Sequence, residues 1–253
     1  MNNPKLIVGL GLVLLAGVIF FIGWDIQKRR ADRQKNRNGA TSSKTERISL
    51  EEIQVLRSDC VGDIEIIPSD SEYVEFRYDP GAFENQSKIK GNQLIIDFSN
   101  ESFGMLDMID HANIEIKVYS HSLTEIHQEG VGSISSRGQI LSEHLTIEND
   151  GTGSMSLDLN TKTLKIINSG VGSIELKGRA SLAEILNDGT GSVKMRNLIL
   201  GSASVTNSGV GSVDLQATDT LDLINDGVGS IHYSGTAYVK RSANEGVGSI
   251  EKY

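Results

Sequence analysis

The chain has 253 residues, with 24 Lys or Arg and 33 Asp or Glu, and a formal net charge of −9. Residues 1–37 hold seven Lys or Arg and two Asp, a balance of +5, so the rest of the chain carries −14. An acidic domain of this kind is not a nucleic-acid-binding protein, because phosphate backbones require a basic face. The single cysteine, Cys60, excludes an intrachain disulfide.

The N-terminal residues predict a membrane anchor. Leu6 to Trp24 is a run of 19 residues without a charge, and a helix of that length is close to the ~30 Å thickness of a bilayer core. A cleavable signal peptide is the alternative, but it has a shorter apolar region and a small-x-small cleavage site, and no convincing one follows here. We therefore assign residues 1–27 to a retained transmembrane helix.

A basic stretch follows the predicted helix. Lys28 to Arg37 contains six Lys or Arg, whereas only Lys5 precedes the helix. The positive-inside rule then places the remainder of the chain in the cytoplasm. The same stretch is expected to lie against anionic lipid headgroups. Residues 28–46 are predicted to form a juxtamembrane linker, and a single domain is assigned to residues 47–253.

The first part of that domain, residues 47–127, is predicted to form an N-terminal cap and the early turns of a repeat structure. Ser58 to Ile64 resembles the later repeats, with Cys60 in the place of a glycine, and is predicted to be the first turn. Cys60 is interpreted as a small, semi-buried corner residue rather than a reactive thiol. Residues 99–112 are irregular and are expected to cover the open end. Alternating apolar residues predict strands in four places: Ile64–Ile66, Tyr73–Tyr78, Leu94–Phe98 and Ile114–Val118.

The second part, residues 128–253, contains the tetrapeptide Gly-(Val/Thr)-Gly-Ser seven times. Copies begin at Gly130, Gly151, Gly170, Gly189, Gly209, Gly227 and Gly246. Intervals of 18 to 21 residues are typical of repeat architectures in which each unit stacks on its neighbours. The runs between copies alternate like strands and none has helix length. Because parallel crossovers are almost always right-handed, we predict an all-β, right-handed parallel β-solenoid with rungs of about 19 residues.

Each rung is predicted to contain two or three short strands, with a turn between them, as at Gly178-Arg179. Stacking the rungs aligns aliphatic residues that are expected to point inward. The columns are Ile134, Met155, Ile174, Val193, Val213, Ile231 and Ile250 in the first strand, and Ile147, Ile166, Ile185, Val205 and Leu223 in the return strand.

The glycine pairs are predicted to form the tight corners, since Gly adopts positive φ without steric cost. The predicted corner residues are Gly130, Gly132, Gly151, Gly153, Gly170, Gly172, Gly189, Gly191, Gly209, Gly211, Gly227, Gly229, Gly246 and Gly248. A phosphate-binding loop would need a helix after the glycines, and a calcium-binding solenoid would need a nine-residue period. An Asn precedes six of the seven corners and is expected to bond from rung to rung: Asn149, Asn168, Asn187, Asn207, Asn225 and Asn244.

An acidic column lies beside the corner. Its members are Glu129, Asp150, Asp188, Asp226 and Glu245, with Ser169 and Ser208 in the two remaining rungs. The main interpretation is a row of solvated turn residues, and the functional alternative is a strip that binds a cation or another ligand. The five histidines show no metal-ligand spacing, and His121 and His127 are assigned to the solvated surface. No catalytic, cofactor-binding or metal-binding residue is predicted.

The segment from Ile114 to Ile134 resembles the head GIN domain family, named for the heads of autotransporter adhesins. The shared features are a strand, a Leu-x-x-Ile segment and the Gly-x-Gly-x-Ile motif, here Leu123 to Ile126 and Gly130 to Ile134. The resemblance extends over about residues 47–253. It implies a β-helical, non-enzymatic domain that is usually exported, so it favours an extracytoplasmic solenoid where the basic flank favours a cytoplasmic one.

These observations predict a membrane-tethered β-solenoid that acts as a binding or scaffolding module. A protein, a glycan or a second copy of the chain is the expected partner, in addition to membrane lipid at the N-terminus. One alternative is an envelope sensor or regulator that oligomerises at the membrane. The other is a polysaccharide-acting β-helix enzyme, which would need clustered carboxylates that the sequence does not show.

Overall fold

A computed structural model describes residues 43–99 and 114–253, and every regular element within them is a β-strand. The predicted anchor, the basic stretch and nearly all of the irregular segment 99–112 lie outside the described residues. Among the residues that the structure describes, no helix has the length and apolar character needed to cross a bilayer.

The strands follow one another with short connections. Their bounds are β1 Lys44–Ser49, β2 Val55–Ser58, β3 Asp63–Ile67, β4 Tyr73–Tyr78, β5 Glu84–Asn85, β6 Lys88–Lys90, β7 Gln93–Ile96, β8 Phe98–Ser99, β9 Glu115–Tyr119, β10 Glu125–Gln128, β11 Ile134–Asn149, β12 Met155–Asn168, β13 Ile174–Asn187, β14 Val193–Asn207, β15 Val213–Asn225, β16 Ile231–Gly235, β17 Tyr238–Asn244 and β18 Ile250–Lys252. Strand β1 begins at Lys44, inside the segment predicted to be a linker.

The repeats stack as a parallel β-solenoid, which confirms the predicted fold. Strands β11 to β15 pair in sequence order and in parallel, and each strand is one rung. In the register, Ile134 pairs with Met155, Met155 with Ile174 and Ile174 with Val193, as the sequence alignment of the rungs predicts. The next rungs continue the same column through Val213 to Ile250.

Inward side chains from both halves of each rung form one continuous core. The members of the two predicted columns are buried, except Ile250 in the last rung, which is partly exposed. A further set of buried residues lies midway along each rung, where the sequence analysis placed a turn: Ile140, Leu159, Ala180, Leu198, Leu200 and Ala217. Burial of each large aliphatic side chain contributes about 1.5–3 kcal/mol.

The predicted turn at Gly178-Arg179 is wrong, because each regular rung is one continuous strand that bends. Strand β13 passes through Gly178, which has φ of 112° and still pairs with Leu159 of the preceding rung. A Cβ on Gly178 would collide with the carbonyl oxygen of Leu159. Since the neighbouring rungs bend at the same place, their backbone hydrogen bonds continue around the bend and no separate turn is needed.

The degraded repeat at Ser58 to Ile64 is a rung of the solenoid, but it is not the outermost one. Strand β2 lies between β7 and β10, and β3 lies between β9 and β11. Strands β7 and β9 come later in the sequence than β2 and β3, but the rung that they form packs on the N-terminal side of the rung formed by β2 and β3. Antiparallel pairing then ends the stack on this side, with β4 on β9, β1 on β4 and β6 on β7.

Candidate functional site

The most regular outer surface of the molecule is the corner formed by the Gly-x-Gly pairs. The residue between the two glycines makes a parallel bridge to its equivalent in the next rung, from Val61 to Val247. These side chains point outward: Val171, Val210 and Val228 are 52–54% exposed, and Val247 is 71% exposed. The corner therefore presents a column of exposed Val and Thr side chains at one rung spacing.

The glycines of a corner are required mainly because the rungs approach so closely. A Cβ on Gly170 would collide with the carbonyl oxygen of Gly151, and a Cβ on Gly172 with that of Gly153. Positive φ occurs only at the second glycine of a pair, as at Gly172 with φ of 141°. Positive φ therefore accounts only for the second glycine, and backbone contact explains the first one.

Buried side-chain amides support each corner from inside, which confirms the predicted Asn column. The Nδ2 of Asn168 donates to Oδ1 of Asn187, and the same bond runs from Asn149 through to Asn244, with donor–acceptor distances of 2.6 to 2.8 Å. From Asn207 onward, Nδ2 also donates to the carbonyl of the second glycine of its own corner. The amides from Asn149 to Asn225 are fully buried and Asn244 in the last rung is exposed, so water is excluded from all but the last of these bonds, which hold the corner backbone in register.

The motif serine has a structural role that the sequence analysis did not assign. The backbone N–H of Ser249 donates to Oγ of Ser230, and that of Ser230 donates to Oγ of Ser212, at 3.1 and 3.2 Å. The Oγ atoms of Ser154 and Ser192 accept equivalent bonds at 3.4 and 3.3 Å, so four motif serines accept a hydrogen bond from the rung that follows. The sequence feature that could have indicated this role is the presence of Ser at this position in all seven repeats.

The predicted acidic column lies on the outside of the corner and changes character along the stack. At its N-terminal end, Arg57 forms ion pairs with both Asp59 and Glu129. Burial raises the pKa of Glu129, and the Arg57 charge opposes that effect. Farther along, Ser208 Oγ donates to Asp226 Oδ1 at 2.7 Å. Among the described residues, no Lys, Arg or His lies within ion-pair distance of Asp150, Asp188, Asp226 or Glu245.

A shallow groove of about 430 Å³ runs along the corner over the last four rungs. We call it the corner groove, and its lining residues are Asp188, Gly189, Thr190, Ser208, Gly209, Val210, Asp226, Gly227, Val228, Glu245, Gly246 and Val247. It therefore brings three of the five predicted strip residues, Asp188, Asp226 and Glu245, together with the exposed valines. Glu129 and Asp150 lie on the same column outside the groove.

The family model described as "Putative auto-transporter adhesin, head GIN domain" matches residues 52–237. The chain belongs to the head GIN domain family. The match includes the degraded rung at Cys60 and six of the seven glycine corners. The resemblance seen in the sequence is thereby confirmed.

Solved structures with the same fold come from Bacteroides and Parabacteroides species. A "putative adhesin" of Bacteroides fragilis has a TM-score of 0.78 and 24% identity, covering 85% of this chain and 98% of that chain. A "putative lipid binding protein" of Parabacteroides distasonis has a TM-score of 0.62 and 20% identity over 85% and 98% of the two chains. A "putative adhesin" of Parabacteroides merdae has a TM-score of 0.59 and 18% identity over 84% and 98%. No curated protein sequence matches the chain.

The titratable side chains of the head GIN domain form small contacts that are separate from one another. Within residues 43–99 and 114–253, no group of three His, Cys, Asp or Glu side chains is arranged to hold a metal ion. The assignment of His127 to the solvated surface is wrong: its side chain is 17% exposed, with Nε2 at 3.0 Å from Glu125 and Nδ1 at 2.8 Å from Glu148. Glu148 lies one rung away, so sequence spacing could not show this contact. His121, at 60% exposed, does lie on the surface.

A second, smaller cavity of about 270 Å³ lies where the chain leaves the stack after β3. Ile66, Pro68, Leu123 and Ile140 provide its apolar wall, and His121 is at its rim. Beside it, the Glu72 carboxylate accepts hydrogen bonds from the Ser120 and Ser122 hydroxyls at 2.9 and 2.6 Å. Both hydroxyls donate to the carboxylate rather than to His121, so no activated nucleophile is formed.

Cys60 is more buried than the sequence analysis expected. Its side chain occupies the first-glycine position of the degraded corner and is 2% exposed. Burial raises the pKa of the Cys60 thiol to about 11, so the thiolate that would react is scarce at neutral pH. At the neighbouring Gly62, an added Cβ would meet Ile114 at 3.5 Å, an ordinary van der Waals distance, so the backbones are less tightly packed at this corner than at the later ones.

Proposed function

We propose that this head GIN domain is a non-enzymatic binding module that presents the outer corner of its solenoid to a partner. The observation that carries the proposal is the corner groove, where exposed Val and Thr side chains repeat at one rung spacing beside carboxylates that form no ion pair. Such a surface offers many equivalent contacts to an extended partner, whereas catalysis needs a few groups converging on one point. The family and the adhesin names of its structural relatives support a binding role.

We further propose that residues 1–27 tether the solenoid to a membrane. The support is the uncharged run from Leu6 to Trp24 and the basic stretch that follows it. Reporter fusions after Tyr253 that are active only inside or only outside the cell would test the topology. Activity of the cytoplasmic reporter supports the positive-inside assignment, and activity of the external reporter supports the exported location that is usual for the family.

The binding role is tested by removing the charge of the corner without altering the fold. The triple variant Asp150→Asn, Asp188→Asn and Asp226→Asn is compared with the unaltered full-length chain for co-sedimentation with isolated bacterial envelopes. Because these side chains are exposed and form no ion pair, the variant is expected to fold normally and to lose binding. Undiminished binding would remove the corner as the contact surface.

Two alternative functions predict different results in experiments with the same full-length chain. Turnover of a glycan that the chain binds, detected by product analysis, would favour a polysaccharide-acting enzyme. Concentration-dependent cross-linking that disappears when residues 1–27 are deleted would favour a regulator that oligomerises at the membrane. Binding without turnover, by a chain that does not cross-link, supports the binding module.

A further inference from the structure

The two ends of the described stack differ in how they are closed. At the N-terminal end, antiparallel strands cover the outermost rung, with β4 on β9, β1 on β4 and β6 on β7. At the other end, within residues 43–99 and 114–253, β17 pairs only with β15 and β18 pairs only with β16. The last described rung therefore presents the edge of a parallel sheet, and such an edge is a template for pairing with another chain.

Backbone groups of the last corner point towards this open side. In the preceding rungs, the carbonyl of the first glycine accepts from the following rung, as Gly227 does from the Val247 N–H. The second glycine donates to the following rung, as the Gly229 N–H does to the Val247 carbonyl. The equivalent groups of the last rung have no backbone partner among the described residues: the carbonyls of Asn244 and Gly246 and the N–H groups of Gly248 and Ile250.

The amide column and the inward aliphatic column both reach the surface at this edge. Nδ2 of Asn225 donates to the carbonyl of its own corner and to Oδ1 of Asn244, whereas Nδ2 of Asn244 donates within the described residues only to the carbonyl of Gly248. A side-chain amide nitrogen carries two hydrogens, so Asn244 retains one for a further strand. Ile231 is fully buried and Ile250 is partly exposed, so a further strand would also bury Ile250.

The return strand of the last rung is poorly suited to such pairing. Strand β17 has one extra residue, Lys240, opposite the adjacent residues Leu221 and Asp222. Bulges and charged side chains protect edge strands against pairing. Strand β18 pairs with β16 without a register shift. The surface that can accept a strand is therefore the last corner together with β18.

The contacts between interior rungs define which segment fits this surface. A Cβ at either glycine of the later corners would collide with a carbonyl oxygen of the preceding rung, so the segment needs glycine at both positions. An Asn before them would accept from Asn244, and an aliphatic residue after the Ser would cover Ile250. A Lys or Arg is favourable opposite Glu251, just as Lys194 lies opposite Glu175 within the stack. The segment that fits thus has the pattern of a rung, Asn-x-Gly-x-Gly-Ser-aliphatic-Lys.

We propose that the last corner and β18 bind an extended segment of another polypeptide that carries this pattern and adds as a parallel β-strand. The interface continues the contact between rungs that already builds the solenoid. The surface lies at the end of the stack, whereas the corner groove lies along its side. The inference therefore does not depend on the proposed binding function of the groove.

The test uses the full-length chain in detergent and a fluorescent synthetic peptide that copies residues 185–196, which include the pattern and Lys194. Fluorescence anisotropy is expected to show saturable binding of this peptide. A second peptide with Gly189→Ala and Gly191→Ala should bind at least about tenfold more weakly, because its Cβ atoms would meet carbonyl oxygens of the last corner as they would within the stack.

Two variants of the chain test the edge itself, Ile250→Pro and Ile250→Ala. Both remove the isoleucine side chain, but only proline removes the outward N–H, and proline is tolerated in an edge strand where that N–H makes no bond. Affinity for the first peptide should be about tenfold lower for Ile250→Pro than for Ile250→Ala. Circular dichroism of both variants checks that each retains the strand content of the unaltered chain.

Equal affinity of the two peptides, or of the two chain variants, would overturn strand addition. Sedimentation that shows a dimer of the chain, dissociated by Ile250→Pro, would mean that a second copy covers the edge and would also overturn the proposal. If the first peptide does not bind while envelope binding still depends on Asp150, Asp188 and Asp226, strand addition fails and the proposed function stands.

Discussion

At the scale of single residues, glycine is required at the corners because backbone atoms of the preceding rung lie directly opposite. Gly170 has ordinary φ, yet its missing Cβ leaves the space that the carbonyl oxygen of Gly151 occupies. At the degraded corner, where this contact is absent, Cys60 stands in the same position. The requirement for glycine thus comes from the neighbouring rung rather than from the local conformation.

We expect Gly170→Ala to lower the free energy of unfolding by about 3 kcal/mol, because the added methyl group must push two backbones apart. Urea unfolding followed by circular dichroism measures the change. Val171→Ala, at the exposed residue next to it, serves as the control and should change stability by less than about 0.5 kcal/mol. Equal effects of the two substitutions would contradict the close-approach explanation.

The buried amide column has one imperfect junction, between Gln128 and Asn149. Gln128 is 1% exposed and its Nε2 donates to the carbonyl of Gly132 at 3.4 Å. Gln128 Oε1 and Asn149 Oδ1 have no hydrogen-bond partner among the described residues. The longer Gln side chain therefore does not continue the pattern that the following Asn residues share.

Replacing Gln128 with Asn is expected to extend the amide column by one rung and to satisfy Asn149 Oδ1. A buried hydrogen bond of this kind contributes about 1 kcal/mol, so the midpoint of chemical unfolding should rise. Gln139→Asn, at an exposed position, is the comparison variant. A lower midpoint for Gln128→Asn would show that the glutamine makes a contact that an asparagine cannot replace.

At the scale of elements, Glu72 joins two connections that lie next to the N-terminal strands. Its carboxylate accepts from the Ile53 backbone N–H before β2, and from Ser120, Ser122 and the His121 N–H after β9. Burial alone would raise the pKa of Glu72, but these hydrogen bonds outweigh it and lower the pKa below its usual value of 4.5. The charged carboxylate therefore stabilises the fold.

Because the folded-state pKa is lowered, the contribution of Glu72 is complete above pH 4.5 and is lost as the pH falls through the folded-state value. At pH 7, Glu72→Gln should cost about 1–3 kcal/mol. The difference from the unaltered chain should shrink as the pH is lowered below 4.5. Unfolding curves of both chains across this range measure it, and a difference independent of pH would contradict a role for the charge.

At the scale of the whole molecule, each rung of the solenoid contacts mainly its two neighbours. Stability in such a stack is approximately a sum of rung and interface contributions, so a local change acts mostly nearby. Cys60 is buried in a rung near one end of the stack, so the rate at which its thiol is alkylated measures the opening of that end. Its low exposure and raised pKa make alkylation in the folded state slow.

We expect Gly130→Ala to accelerate alkylation of Cys60 at pH 8 more than Gly227→Ala does. Both substitutions place a methyl group against the carbonyl oxygen of the preceding corner, but only Gly130 packs directly on Cys60. Labelling rates, measured by mass spectrometry without denaturant, distinguish the two variants. Equal acceleration would indicate that the described solenoid opens as a single cooperative unit.

The period of the repeats, the inward columns and the Asn column could be predicted from the sequence. Each depends on residues such as Ile174 and Asn187, which recur at about 19-residue spacing and face equivalent residues in the next rung. When every rung repeats the same pattern, the alignment of the sequence with itself is also the register of the structure. The groove could be predicted only in part, as an acidic strip, because the exposure of the valines beside it depends on the packing of the corner.

Only the tertiary structure decided which unlike segments became neighbours. It placed the rung of Cys60 between strands that follow it in sequence, brought Glu148 to His127, and continued the strand through Gly178 where a turn was expected. These features depend on contacts between residues that share no repeat position, or on the match of one backbone bend to another. The repeat pattern carries no information about such contacts, since they are set by how the chain packs.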